Sequence, residues 1–318
     1  MKHKTISKRN ESCIGGKHFN SSLFNSKIIG VRYFDKGLKE KYGKLAGTES
    51  ARYTNGHWTL FSSIAHSCAA GNYVDEVSYF GYVKETAKGV APVAKLAIYK
   101  VAWNEGISGV DVLSGIDQAI EDSVDVMSIS ITLGAGSFAA MEKGVVFTLG
   151  AGNEGPGFRS MHNGIPWATI NSRSKLPGSP FVYDQLQKNC NNHELLSKAS
   201  HGIILCYQDR NIFGQHNIWK NFGDEASPVV VFYSPKGPSK TFPRILKPDV
   251  MAPGSLVLAS AIPKGRENTE YEMSSGTSYA CPHVAGVAAF FKVAYPKLSP
   301  AAIRSAIVTT ANELARQH

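Results

Sequence analysis

The chain has 318 residues, of which 43% are hydrophobic and 19% are charged, as in a folded globular protein with a sizeable core. Its formal net charge is +9, but residues 1–44 alone carry eleven Lys and Arg against three Asp and Glu. The rest of the chain is therefore close to neutral. No basic motif with interleaved aromatic residues accompanies the basic segment, so we expect no nucleic-acid partner.

The cysteine spacing argues against a metal-binding protein, and the N-terminal composition argues against a membrane protein. The cysteines, Cys13, Cys68, Cys190, Cys206 and Cys281, form no CxxC pair, and carboxylates do not cluster, so we expect neither a metal nor another cofactor. Cys190 and Cys206 are candidates for a disulfide bond in an oxidising compartment. The N-terminal stretch MKHKTISKRNES has no apolar run, so we expect no signal peptide, no membrane-spanning segment and no membrane partner in the chain as given.

Strands and helices alternate along most of the chain. The predicted strands are 27–33, 94–101, 124–131, 144–149, 228–232 and 255–259, and the predicted helices are 111–121, 137–143, a long helix that begins near Ser278, and 300–315, capped by Ser299. Residues 172–226 interrupt this order with a polar, loop-rich stretch. Strand–helix–strand order indicates an α/β fold with a parallel β-sheet flanked by helices.

The stretch GTSYACPHVAGVAAFF at 276–291 contains the most informative serine. Its residues after Ser278 leave almost no polar face, which predicts a buried helix. Pro282 is tolerated only in a first helical turn, so the helix begins near Ser278. A serine there is ordinarily an N-cap, but it also lies among unpaired N–H groups at the positive end of the helix dipole, where an oxyanion is stabilised.

Five motifs favour the catalytic interpretation of this serine. They are Asn55-Gly-His-Trp-Thr59, Asp125-Val-Met-Ser-Ile-Ser130, Gly152-Asn-Glu-Gly-Pro156, Lys247-Pro-Asp-Val-Met-Ala-Pro-Gly254 and Gly276-Thr-Ser-Tyr-Ala280. In content and order they resemble the motifs of subtilases, above all the plant subtilisin-like serine proteases, and the resemblance extends over roughly residues 12–313. It implies a subtilisin-like fold and a serine endopeptidase that acts on peptide or protein substrates.

The resemblance also implies roles for individual residues. Ser278 matches the nucleophile, His57 the general base, and Asn153 the side-chain donor of an oxyanion hole that the Ser278 backbone N–H completes. The walls that hold an extended peptide substrate are matched by Ser128, Ile129 and Ser130 and by Gly150, Ala151 and Gly152. In the family Met is usual at the position of Tyr279.

Three departures from the family pattern predict a weak catalyst. The family order is Asp, His, Ser, but only Asp35 precedes His57, in a stretch that resembles a loop after the catalytic aspartate's strand. The D-T-G type motif is absent, as if the chain began downstream of it, so we expect a sheet incomplete at its N-terminal edge. Trp58 and Leu60 replace a glycine and a histidine. Finally, only about a dozen residues connect the strands at 124–131 and 144–149, near the minimum for a parallel crossover.

The resemblance divides the chain into a basic N-terminal segment at 1–50 and a catalytic domain in two parts, 51–171 and 227–318. Between them, 172–226 resembles a shortened remnant of a protease-associated insert. Family resemblance implies an extracellular protein. Two alternatives stay open, namely a non-catalytic protein that binds peptides or protein partners and a fragment of a longer active protease. An α/β-hydrolase is disfavoured because no G-x-S-x-G elbow is present.

Overall fold

The computed structural model describes residue 19 and residues 25–45, 49–52, 66–79, 82–131, 136–157, 159–161, 168–173, 181–182, 203–204, 230–239, 243–260 and 271–311. The chain divides into two compact units, one formed by Met1–Arg173 with Val230–Glu313 and the other by Ser174–Val229 with Leu314–His318. The candidate site lies in the first of these units.

Strands and helices alternate over residues 106–150 of the first unit, as the sequence predicts, whereas consecutive strands occur among the described residues of 74–107 and 250–274. The helices are α1 (Lys36–Tyr42), α2 (Gly109–Glu121), α3 (Ser137–Glu142), α4 (Thr277–Ala294) and α5 (Pro300–Thr310), and residues 66–70 are also helical. The strands are β1 (Ile28–Tyr33), β2 (Val74–Tyr79), β3 (Tyr82–Ala87), β4 (Leu96–Lys100), β5 (Ala102–Trp103), β6 (Gly106–Ile107), β7 (Val126–Ile129), β8 (Val146–Gly150), β9 (Ala168–Arg173), β12 (Val250–Ser255), β13 (Val257–Ser260) and β14 (Tyr271–Ser274). In the second unit, β10 (Phe181–Val182) pairs in parallel with β11 (Ile203–Ile204).

The main sheet is parallel, with strand order β12-β9-β8-β7. All five residues of β8 are buried, and its side chains alternate between two helical layers. Phe147 and Leu149 pack with Ile116 of α2 on one face, whereas Val146 packs with Ala288 of α4 on the other. The predicted α/β architecture with helices on both faces of a parallel sheet is therefore confirmed.

A second parallel sheet consists of β1 and β4. The chain runs from β4 through α2 into β7, yet within the described residues no strand pairing joins β4 to β7. Tyr99 of β4 and Met127 of β7 nevertheless pack in the same core cluster as Val112 and Ile116 of α2. Among the described residues the two parallel sheets are therefore separate, and the predicted incompleteness of the sheet at its N-terminal edge stays a prediction.

Two predicted strands differ in the structure from their predicted course. The predicted strand at 255–259 is split at Leu256, whose φ is 53° and whose N–H donates to Ser275 Oγ at 2.8 Å. Beyond this corner, β13 leaves the parallel sheet and pairs antiparallel with β14. Of the predicted strand 228–232 only 230–232 are described, and of these Val230 forms an isolated β-bridge. A turn follows at once, in which the Ser234 N–H donates to the Val231 carbonyl at 3.0 Å.

The two C-terminal helices also differ in extent or burial from their predictions. The Ser299 hydroxyl caps α5 by accepting from the Ala302 N–H, as predicted, but α5 ends at Thr310 because Ala311 is extended. The predicted continuation at 312–315 lies outside the described residues. The first half of α4 is buried, whereas its second half exposes Phe290 and Val293, so a helix buried on all sides was wrong for that half.

Candidate active site

A corner at the end of the β13–β14 hairpin delivers Ser278 to the start of α4. The Gly276 N–H donates to the Gly254 carbonyl at 2.8 Å, which ties the chain before α4 to the end of β12. Helix α4 begins at Thr277, close to the predicted start, and Ser278 lies in its first turn. Pro282 is the sixth residue of α4 and lies inside the helix, so the prediction that it occupies the first turn is wrong. No acidic residue occupies that turn, so the positive end of the helix dipole is not neutralised there.

The hydroxyl of Ser278 faces the residue that follows β7. Ser278 Oγ lies 3.4 Å from the Ser130 carbonyl oxygen, and Ser130 Oγ donates to the Ser278 carbonyl at 2.9 Å. Ser278 is 9% exposed, and its backbone N–H has no acceptor within the described part of the chain. The first turn of α4 thus presents a hydroxyl together with a free N–H donor.

Asn153 adds a second free donor beside the same helix terminus. Its Oδ1 accepts from the Thr277 N–H at 2.9 Å and from Thr277 Oγ1 at 3.2 Å. Because a backbone N–H can only donate, this contact identifies the oxygen of the amide and directs Nδ2 the other way. A Cβ added to Gly276 would lie 3.6 Å from Nδ2, which places Nδ2 beside the turn before Ser278. Nδ2 makes no hydrogen bond to any described residue.

Thr277 organises this corner, a role that its sequence motif alone does not assign to it. Its hydroxyl accepts from the Gly152 N–H at 3.1 Å and lies 3.0 Å from the Gly152 carbonyl oxygen. A Cβ on Gly150 would lie 3.4 Å from the same hydroxyl, so the chain after β8 passes close to α4. Its place beside Ser278 in the Gly-Thr-Ser turn is the signal that could have identified Thr277.

The predicted substrate walls lie at the carboxyl ends of neighbouring parallel strands. Ser128 and Ile129 end β7 and Ser130 follows them, while Gly150 ends β8 and is followed by Ala151 and Gly152. Ligands of α/β sheets commonly bind at this edge. Ser130 contacts Ser278 and Gly152 contacts Thr277, so both segments border the start of α4. Their role in binding substrate stays a prediction.

His57 lies outside the described residues, but the chain shortly after it is described. Cys68, in the helical residues 66–70, packs with Ala259 of β13 and Tyr279 of α4, and Ser67 Oγ lies 2.7 Å from Ser260 Oγ. Tyr279, at the position where the family usually has Met, donates from its hydroxyl to Ser274 Oγ at 2.7 Å. The segment downstream of His57 is therefore held against the turn that carries Ser278.

Asp35 has a different partner from the one a catalytic aspartate would have. It follows β1, is buried, and forms an ion pair with Lys39 in which Nζ and Oδ2 are 2.9 Å apart. Among the described residues, β1 pairs with β4 in a sheet separate from the one that contains β7. Within the described residues, no carboxylate contacts Ser278.

The titratable residues inside the first turns of α4 are neutral core groups. Burial raises the pKa of the Cys281 thiol, which lies 3.4 Å from Thr148 Oγ1 and 3.5 Å from Ser128 Oγ. Burial also lowers the pKa of His283, although the hydrogen bond between Nδ1 and the Tyr279 carbonyl, at 2.7 Å, acts in the opposite direction. The Cys281 and His283 side chains therefore contribute to the packing of α4 against neighbouring elements.

Neither a metal site nor a membrane span emerges from the described part of the chain. There, His, Cys, Asp and Glu side chains do not gather in groups of three or more that would hold a metal ion. The described helices also lack the combination of length and apolar composition that crossing a bilayer requires.

Solved structures share this fold. The S41 psychrophilic protease aligns with a TM-score of 0.53 over 86% of this chain and 76% of its own, at 22% identity. Sphericase aligns with a TM-score of 0.51 over 83% of this chain and 72% of its own, also at 22% identity. At such identities the likeness supports the fold and not the activity.

Sequence comparison identifies the family. Subtilisin-like protease SBT3 of Solanum lycopersicum is 34% identical over 95% of this chain, and subtilisin-like protease SBT1.9 of Arabidopsis thaliana is 34% identical over 93% of it. The chain spans 53% and 55% of the lengths of these two relatives. A profile of the subtilase family matches residues 17–318. The chain therefore belongs to the subtilase family and is similar to its plant members.

Proposed function

We propose that the chain is a serine-type endopeptidase in which Ser278 is the nucleophile and His57 the general base. The observation that carries this proposal is the pair of free donors, Asn153 Nδ2 and the Ser278 N–H, beside the Ser278 hydroxyl. A hydrogen bond from each would stabilise the negative oxygen of a tetrahedral intermediate. In a subtilisin, loss of the amide donor lowers turnover roughly 10²–10³-fold.

The reaction follows from these roles. Ser278 Oγ attacks the carbonyl carbon of a peptide bond while His57 takes the hydroxyl proton. The C–N bond then breaks, His57 returns the proton to the leaving amine, and an ester on Ser278 remains. Water attacks this ester with His57 again as base, which releases the acid and restores the hydroxyl. The substrate class is an extended peptide lying along Ser128–Ser130 and Gly150–Gly152.

We further propose that the chain by itself turns over slowly. A catalytic imidazole needs a carboxylate that fixes its tautomer and stabilises its charged form, and replacing that carboxylate in related triads lowers turnover roughly 10⁴-fold. Asp35, the sole aspartate before His57 in the sequence, is paired with Lys39. Trp58 and Leu60, which replace a glycine and a histidine of the family motif, favour the same conclusion.

A non-catalytic peptide-binding protein is the second candidate, favoured by the engagement of Asp35 with Lys39. Such a protein would bind peptides along the two predicted substrate walls but would not carry out acyl transfer. Under either proposal, 51–171 and 227–318 form one domain, 172–226 is a reduced insert, and the family relation favours an extracellular location. The Cys190–Cys206 pairing stays a prediction, because both residues lie outside the described ranges.

Long incubations with fluorescein-labelled casein separate the two candidates. The endopeptidase proposal predicts slow cleavage by the wild-type chain and none by Ser278→Ala, with casein bound equally well by both. Cleavage that persists in Ser278→Ala, or binding without any cleavage by the wild type, would refute it. A wild-type rate equal to that of an intact subtilase would instead refute the proposed slow turnover.

A further inference from the structure

The side chain of Tyr279, the residue after Ser278, joins three elements around the start of α4. It is 1% exposed and is the largest fully buried side chain within the described residues. Its ring packs with Cys68 of the helical residues 66–70 and with Ala259 of β13. Because Tyr279 and Ser278 lie in the same helical turn, a shift of this ring moves the backbone that carries the candidate nucleophile.

Tyr279 also closes the turn that connects β14 to α4. Its hydroxyl donates to Oγ of Ser274, the last residue of β14, at 2.7 Å. Its backbone N–H donates to the Gly276 carbonyl at 3.1 Å. A side-chain and a backbone hydrogen bond from one residue therefore hold the turn that ends directly before Thr277 and Ser278.

The ring of Tyr279 lies near the amide donor of Asn153. A Cβ added to Gly276 would lie 3.5 Å from Tyr279 Cε2 and 3.6 Å from Asn153 Nδ2, so the ring and the amide nitrogen border the same small space. Asn153 Oδ1 accepts from the N–H of Thr277, the next residue along the chain. A displacement of this turn would therefore change the direction in which Nδ2 points.

Electrostatics keep the Tyr279 phenol a neutral donor. Burial raises the pKa of Tyr279, the Ser274 hydrogen bond acts in the opposite direction, and the charge of Glu272 adds to the rise. The hydroxyl therefore keeps its proton near neutral pH and can donate to Ser274 Oγ. Met, the usual residue of the family at this position, has a thioether that donates no hydrogen bond, so this contact is not part of the family pattern.

We propose that Tyr279 is a positioning residue, which orients the Asn153 donor towards the Ser278 site by holding the turn between β14 and α4. The inference rests on the proposed function of Ser278 and goes beyond it, because it gives a fully buried residue a part in transition-state stabilisation. The Tyr279 phenol acts through Asn153 and does not itself contact the substrate.

Phosphonylation of Ser278 by a fluorophosphonate, measured on the full chain, tests this role. Tyr279→Phe removes only the hydroxyl, and we expect the reaction to slow about fivefold. Ser274→Ala, which removes the acceptor instead, should have a similar effect, and Ser274→Thr should retain the wild-type rate. Tyr99→Phe is the matched control and should also react at the wild-type rate, because it removes a hydroxyl that donates to Asp122 Oδ2 at 2.8 Å on a separate sheet.

A double-mutant cycle separates positioning from a general loss of stability. If Tyr279 acts through the Asn153 donor, Tyr279→Phe should slow the reaction about fivefold in the wild-type background but less than about twofold in Asn153→Ala, where no donor is left to orient. Equal slowing in the two backgrounds would assign Tyr279 a purely structural role and overturn the proposal.

Amide hydrogen exchange detects the same contact without the reaction. The Thr277 N–H, which donates to Asn153 Oδ1, should exchange at least about fivefold faster in Tyr279→Phe and at the wild-type rate in Tyr99→Phe. A wild-type chain that forms no adduct on Ser278 would refute the proposed function, and the exchange rates would then decide whether Tyr279 orients Asn153. A reactive wild type whose rates of phosphonylation or exchange are unchanged in Tyr279→Phe would overturn the role of Tyr279 alone.

Discussion

At the scale of single residues, Thr277 is the position that holds the candidate site together. One hydroxyl and one N–H connect the start of α4 to Gly152 and to Asn153, two residues from a different strand end. The Asn153 amide is thereby turned so that Nδ2 is left free. The orientation of Asn153 Nδ2 thus depends on Thr277 as much as on Asn153 itself.

Thr277→Val should disturb the orientation of Asn153 Nδ2 while leaving the nucleophile Ser278 in place. Valine keeps the shape of threonine but loses the hydroxyl contacts to Gly152 and Asn153, so we expect phosphonylation of Ser278 by a fluorophosphonate to slow about tenfold and the free energy of unfolding to fall by about 1–3 kcal/mol. Thr277→Ser, which keeps the hydroxyl, is the control. If the valine variant lost stability but reacted at the wild-type rate, Thr277 would have only a structural role.

Lys100 is a buried cation at the end of β4. Its Nζ donates to the carbonyls of Ser50 and Arg52 at 3.0 Å and lies 3.8 Å from the ring centroid of Trp103. Burial lowers its pKa from 10.5 to about 8, and the charge of Asp35 offsets this only in part. The folded protein therefore releases this proton at a lower pH than the unfolded chain does.

Stability should consequently rise with pH between about 8 and 10.5 through Lys100, because in this window the unfolded chain binds the proton and the folded chain does not. This pH dependence is measured as the free energy of unfolding in urea, for the wild type and for Lys100→Met, at pH 7.5 and 10.5. The wild type should gain on the order of 1–3 kcal/mol relative to the variant over that range. The exposed Lys95→Met should show no such gain, and a wild-type advantage that shrinks with pH would contradict the assignment.

At the scale of elements, α4 combines a buried first half with a more exposed second half. The helical residues 66–70 approach it at Gly286, where an added Cβ would lie 2.5 Å from Val90 Cβ and 2.9 Å from the Ala69 carbonyl oxygen. This close approach holds the segment after His57 against the helix that carries Ser278. Gly286 therefore allows α4 and the helical residues 66–70 to pack closely, and its role is not to make α4 flexible.

Gly286→Ala should destabilise the protein although alanine is the better helix former. The clash with Val90 and Ala69 outweighs a propensity gain of about 1 kcal/mol, and we expect a net loss of about 1–3 kcal/mol in thermal or urea unfolding. Gly109→Ala in α2, where an added Cβ meets nothing within 4 Å, is the matched control and should be neutral or stabilising. Equal effects of the two substitutions would refute the packing argument.

Local patterns predicted most of these elements and the motifs around the site. The apolar run of β8 and the Ser299 cap each act within a few residues, so the sequence reveals them. Pro282 does not follow its local rule, because it lies inside α4 and not in its first turn. The corner at Leu256 depends on a hydroxyl 19 residues away and could not be predicted. The contact of Asp111 could not be predicted either, because its carboxylate accepts from the Gly37 N–H at the start of α1, 74 residues earlier.

At the scale of the whole molecule, the order of motifs predicted which segments meet but not how the sheet is divided. The structure brings Asn153 and Ser278 to one helix terminus, as the motif order implies. The separation of the β1–β4 sheet from the four-stranded sheet among the described residues could not be predicted, because each strand has an ordinary sequence and only the pairing pattern reveals it.

Phosphonylation kinetics with residue-level mass spectrometry test the central claim, that Ser278 is a nucleophile served by the Asn153 amide donor. Asn153→Asp keeps an oxygen for Thr277 but replaces the N–H donor with a carboxylate oxygen, whose negative charge would also repel the oxyanion. Asn153→Ala removes the donor without adding a charge. We expect a fluorophosphonate adduct on Ser278 that is absent in Ser278→Ala, forms about 10²-fold more slowly in Asn153→Ala, and forms at least as slowly in Asn153→Asp. An adduct on another residue, or an Asn153→Ala rate equal to that of the wild type, would contradict the claim.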